Sequence, residues 1–160
     1  MKMMDETFKG IFKGKVVIVG IGNTLRQDDG LGPALIKRLN GRIRARCFDV
    51  GTSPENYLGK VARERPDTIL IIDALHLGKE AGEFEIVKKG EIVKSGLSTH
   101  DISPKQLIEY LQNETKADIY MLGVQPKSVS FGEEISSNVK KTLDQIAEMI
   151  IEQCRLTHSS

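Results

Sequence analysis

Apolar residues in this chain fall into two alternating rhythms. Val16-Val17-Ile18-Val19 is a continuous β-branched run that stops at glycine, the pattern of a strand buried on both faces. After a loop rich in glycine and aspartate, Leu31, Leu35 and Leu39 recur at helical spacing. Pro33 suits the first turn of that helix and Gly41 can cap its end. Arg44 to Val50 predicts a second strand, and Pro54 to Arg65 a helical stretch closed by Pro66. Thr68-Ile69-Leu70-Ile71-Ile72 is another wholly apolar strand, with Asp73 standing where it ends. Glu83 to Lys89 alternates weakly, with Phe84, Ile86 and Lys88 on one side, which favours an edge strand. Ser103-Pro104 opens a helix striped by Leu107, Ile108 and Leu111. Ile119 to Val124 is a further strand, halted by Pro126. From about Ser136 a last helix aligns Val139, Leu143, Ile146 and Ile150.

Strands alternating with helices predict an α/β fold, a three-layer α/β/α arrangement with a mostly parallel central sheet and helices on both faces. In such folds ligands bind outside the carboxyl ends of the strands. The 160 residues suit one domain, with a core over about 15–154 and residues 1–14 as an N-terminal extension or edge segment. Net charge is +1, so the totals give no electrostatic case for nucleic acid or an anionic membrane. Arg42, Arg44 and Arg46 alternate as the wet face of an edge strand would. Cys47 and Cys154 lie far apart without a Cys-x-x-Cys partner, which fits a reducing compartment, and Cys47 reads as a small core residue. Met1 to Lys15 contains no apolar run long enough for a signal segment or membrane span, so a cytoplasmic protein is expected.

Three places can carry chemistry. Asp28-Asp29-Gly30 follows the first strand; Asp-Gly is a common turn, but adjacent carboxylates repel unless a cation or donor sits between them. Asp73 emerges at the carboxyl end of a central strand, where it either caps local amides or serves a site. His100 stands at the entry to a helix, and imidazole is both a common metal ligand and a likely acid or base near neutral pH. Two carboxylates and one imidazole suit a borderline divalent ion and leave coordination positions open. His76, three residues past Asp73, reads as a loop residue, and Asp49 as part of the rim. A dinucleotide fingerprint begins at Gly20-x-Gly22, but Leu25 replaces its third glycine, and Asp28 and Asp29 would repel a pyrophosphate. Neither a Walker A loop nor a Gly-x-Ser-x-Gly elbow is present.

Several motifs in order resemble the hydrogenase maturation endopeptidases of the hycI/hybD type, the processing proteases of nickel-iron hydrogenases. They are Gly20-Ile21-Gly22-Asn23-Thr24-Leu25, Asp28-Asp29-Gly30-Leu31-Gly32, Asp49-Val50-Gly51-Thr52, Ile71-Ile72-Asp73-Ala74, Ser98-Thr99-His100 with Pro104, and Gly123-Val124-Gln125-Pro126. The similarity runs from about Val16 to Ile150, and the Pro-Gly common after the third strand reads Ala81-Gly82 here. The resemblance implies a mostly parallel sheet between helices, and metal-contacting residues at Asp29, Asp73 and His100. It leaves Asp28 as the structural half of its pair. It further implies a partner, the precursor of a nickel-iron hydrogenase large subunit, whose C-terminal extension is removed once nickel is inserted. Nickel would be carried by the substrate rather than held permanently, and the protein would act as a monomer. A nickel-sensing chaperone without cleavage, or a nucleotide-binding Rossmann-like protein, are the alternatives.

Overall fold

A computed structural model of the chain describes residues 7–88 and 104–155, with Pro104 described in its backbone alone. Five strands form one sheet: β1 (Val16–Ile21), β2 (Arg46–Gly51), β3 (Thr68–Ala74), β4 (Phe84–Lys88) and β5 (Asp118–Val124). Their order is β2-β1-β3-β5-β4, parallel throughout except for β4, which runs antiparallel along β5. The described helices are α1 (Leu31–Leu39), α2 (Leu58–Arg63), α3 (Pro104–Glu114) and α4 (Ser137–Gln153). This is the three-layer α/β/α fold expected from the alternation.

Each face of the sheet has its own core because successive strand side chains point to opposite sides. Ile18, Leu70, Ile72 and Leu122 pack under α1 and α4, and Val17, Val19, Ile69, Ile71 and Ile119 under α2 and α3. β1 and β3 are buried along their whole length, which explains their continuous apolar runs. Leu31, Leu35 and Leu39 are fully buried on α1, and each such side chain contributes roughly 1.5–3 kcal/mol of transfer free energy. That helix ends as expected: the amide of Asn40 still donates to the Ile36 carbonyl at 2.9 Å, and Gly41 then turns to φ +81°.

Several boundaries differ from the sequence expectation for physical reasons. The Pro54–Arg65 stretch divides into one 3₁₀ turn, Pro54–Asn56, and the six-residue α2, because Tyr57 departs from helical φ between them. Arg65, at φ +52°, ends the stretch before Pro66, whose ring disfavours helical geometry in the residue preceding it. β3 continues through Asp73 to Ala74, paired with Gly123 and Val124 of β5, so Asp73 is a strand residue rather than the first of the loop. β4 is the expected edge strand, with Phe84 and Ile86 against one core and Val87 against the other, while Lys88 is exposed. Arg46 lies on the opposite edge strand, its guanidinium 5.2 Å from the Phe48 ring centre; Arg42 and Arg44 are exposed but precede β2.

Residues 7–12 are more than an appendage. Phe8 and Ile11 are buried in the α1–α4 core, and the Phe8 ring stacks on Phe12 with centroids 5.5 Å apart. Among the described residues no helix is long and apolar enough to cross a membrane.

Candidate active site

The chain leaves β1 toward β2 on one side and later places β3 on the other, so the β1/β3 boundary is the topological switch point of the sheet. The loop after β1 carries Asp29, and Asp73 is the penultimate residue of β3. The sequence-predicted carboxylates are therefore brought to the same end of two neighbouring strands. His100 lies outside the described residues.

Glycines let the loop close tightly over that end. A Cβ on Gly22, which has φ +155°, would strike the carbonyl oxygen of Asp29. One on Gly32 would lie 2.7 Å from the Ile21 amide nitrogen and 2.9 Å from the Ile72 carbonyl oxygen. On Gly20 it would come 2.6 Å from the Gly32 carbonyl oxygen. Such spacings forbid any side chain, so these glycines serve the close packing of the loop and α1 onto β1 and β3. The Gly-x-Gly signal that resembled a phosphate cradle is absorbed by this packing, which leaves the nucleotide reading without its main support.

Asp28 and Asp29 sit in one 3₁₀ turn, Gln27–Gly30, and both are buried, yet their carboxylates are treated differently. Asp28 Oδ2 accepts from the Lys127 amide at 2.8 Å, the Ser128 amide at 3.3 Å and Ser136 Oγ at 2.8 Å, and its Oδ1 accepts from the Ser136 amide at 2.7 Å. Asp29 Oδ2 accepts from the Asn23 amide at 2.9 Å, while its Oδ1 is buried and finds no hydrogen-bond partner among the described residues. A buried carboxylate oxygen without a donor is expensive, so it marks a position that a donor or a cation would satisfy. Asp73, only 3% exposed, accepts at Oδ1 from the Ala74 amide at 2.8 Å.

Gln125 is a brace that sequence reasoning passed over except as part of a motif. Its Oε1 accepts from the Leu77 amide at 2.6 Å and the Lys79 amide at 3.4 Å, which fixes the loop leaving Asp73. A glutamine directly after a buried strand and before proline was the available signal. His76 is exposed in that same loop. Asp49 holds the turn after β2 by accepting from the Gly51 amide at 3.0 Å, and it lines a cavity of about 440 Å³ with Thr24, Gly30, Lys37 and Glu133.

The described residues contain no group of three His, Cys, Asp or Glu placed to hold a metal. Two carboxylates at a strand-end crevice can instead polarise water and contribute part of a coordination shell. Neither thiol competes for the nucleophile role. Burial, and secondarily the neighbouring Cys154, raises the Cys47 thiol to about 11, and burial raises Cys154 likewise to about 11. Both are therefore thiols at neutral pH, in keeping with Cys47 as a packing residue, although it is only half-buried.

Comparison with known proteins gives a consistent neighbourhood. The model of a family described as HycI, hydrogenase maturation protease, matches residues 33–153. The crystal structure of a [NiFe] hydrogenase maturation protease HycI from Thermococcus kodakarensis KOD1 has a TM-score of 0.82 and 35% identity, covering 92% of this chain and 95% of that one. A Methanocaldococcus jannaschii protein, itself with a provisional assignment as a hydrogenase maturation protease, is 33% identical over 86% of this chain and 87% of its own. The hydrogenase 3 maturation protease of Escherichia coli is 27% identical over 84% of this chain and 87% of its own.

Proposed function

This chain belongs to the hydrogenase maturation protease family, whose model matches residues 33–153, and on that premise we propose that it removes the C-terminal extension of a nickel-iron hydrogenase large-subunit precursor after nickel insertion. The observation that carries the reading is the buried Oδ1 of Asp29, without a hydrogen-bond partner among the described residues, at the switch point where Asp73 is the penultimate residue of β3. Such an oxygen suits a charge that arrives with the substrate. Nickel held by the precursor supplies that charge, with Asp29, Asp73 and His100 as the contacting groups. An empty precursor would leave the carboxylates uncompensated, so the same groups that bind also discriminate.

In the hydrolysis, the bound metal fixes the scissile peptide beside the carboxylates. A water there gives its proton to a carboxylate while its oxygen attacks the peptide carbonyl. The proton then passes to the departing amide nitrogen, which leaves as the new amino terminus of the released peptide. The carboxylate is regenerated, so atoms and charge balance. Asp29 and Asp73 each have one carboxylate oxygen held by a backbone amide, from Asn23 and Ala74 respectively, so either carboxylate can take that proton.

Intact-mass analysis of nickel-loaded precursor incubated with the protein tests this. Loss of a C-terminal peptide is the expected result. Stable association without loss of mass would instead support a nickel-sensing chaperone and overturn the protease assignment.

A further inference from the structure

Asp28 is not needed for the chemistry just described, yet its carboxylate is wholly out of water and bonded more fully than that of Asp29. Every one of its four donors comes from the two ends of residues 127–136, the segment that joins β5 to α4. All four donors are neutral, so the charge is stabilised by converging N–H and O–H groups rather than by an ion pair. That donor set also explains the residue type. Asparagine could offer one acceptor oxygen and would turn an amide N–H₂ toward donors.

The contact is one part of a seam. The Asp28 amide donates to the Ser128 carbonyl at 3.0 Å, the Gln27 amide to the Gly132 carbonyl at 2.6 Å, and the Gly132 amide to the Leu25 carbonyl at 2.8 Å. Ser128 Oγ meets Gln27 Oε1 at 2.5 Å, and Arg26 Nε donates to the Val129 carbonyl at 2.9 Å. Within this seam only Asp28 places a carboxylate in the interior, so loosening the segment would leave that buried group without donors. Asp28 therefore sets the position of the 3₁₀ turn, and Asp29 is the next residue in that turn. Among the described residues the Asp29 side chain has a single anchor of its own, the Asn23 amide.

We propose that Asp28 is a positioning residue for peptide cleavage, clamping residues 127–136 to the turn so that Asp29 Oδ1 is held where the substrate's charge and the attacking water arrive. The proposal rests on the reading of Asp29 as a reacting group. Misplacing a catalytic group by about 1 Å can lower a rate by about 100-fold, so a positional anchor should show itself in turnover.

The test measures kcat and KM for cleavage of nickel-loaded precursor, normalised to folded protein, in Asp28→Asn, Ser136→Ala and Ser136→Thr, with Asp29→Asn in parallel. Expected is a kcat lowered about tenfold or more in Asp28→Asn with KM nearly unmoved, and a smaller loss of kcat in Ser136→Ala. Ser136→Thr, which retains the hydroxyl donor, should recover most of the rate lost in Ser136→Ala. Should Asp28→Asn fail to fold, the two Ser136 variants decide the matter alone. Wild-type kcat in Ser136→Ala, a loss confined to KM or to the folded fraction, or no recovery with threonine would overturn the proposal. Full activity of Asp29→Asn would instead remove the site reading beneath it.

Discussion

The carbonyl oxygen of Asp29 occupies the space that a side chain on Gly22 would fill. The end of β1 and the acidic turn are thereby packed backbone against backbone, and the Asn23 amide, one residue on, donates to the Asp29 carboxylate at 2.9 Å. Gly22→Ala should push this turn outward. The backbone conformation at Gly22 adds to the clash, and a destabilisation of about 1–3 kcal/mol is expected. Urea unfolding measures the stability, and precursor cleavage should fall further than the folded fraction.

Asp29→Asn and Asp73→Asn preserve side-chain shape while removing charge. Each should lower cleavage of nickel-loaded precursor by about 100-fold or more, the range expected for losing a positioned base or charge stabiliser. Circular dichroism should show native secondary structure in both. Wild-type cleavage by either variant would remove that residue from the site.

Phe8 tests where the domain begins. With 2% of its surface exposed and its ring stacked on Phe12, it fills part of the α1–α4 core. Phe8→Ala should cost about 3–5 kcal/mol in chemical denaturation. A cost near zero would mean that residues 7–12 pack as an appendage after all.

The thiols give a pH signature. Burial holds both Cys47 and Cys154 at about 11 in the folded protein, against 9.0 for an unperturbed thiol. A folded value raised in this way stabilises the protein fully below pH 9.0 and less and less as pH climbs toward about 11. Stability should therefore decline over that alkaline window, and less so in a Cys47→Ala, Cys154→Ala double variant. Alkylation of the native protein at pH 8 should be much slower than that of the urea-unfolded chain.

The layers of the fold were legible because the two central strands, β1 and β3, are buried on both faces and so must be continuously apolar. The helical stripes of α1 and α4 were equally plain. Less legible was α2, since a six-residue helix behind a 3₁₀ turn carries too short a period to fix its ends. The Asp28-Asp29 pair and Asp73 could be located from strand ends alone, while the choice of Asp29 within the pair came from the family resemblance. The contrast between Asp28 and Asp29 could not, because the donors to Asp28 lie about a hundred positions away, at Lys127, Ser128 and Ser136. Gln125 was hidden for the same reason: its partners, Leu77 and Lys79, belong to another loop. His100, singled out as an imidazole at the entry to a helix and given its metal-contacting part by the family resemblance, lies outside the described residues.

As proposed, the carboxylates read a nickel ion carried by the substrate. Purified protein mixed in parallel with nickel-loaded and nickel-free precursor, followed by intact mass, tests it most directly. Release of the C-terminal peptide from loaded precursor alone is the predicted result. Equal cleavage of both precursors would contradict it, leaving a protease whose site does not depend on the metal.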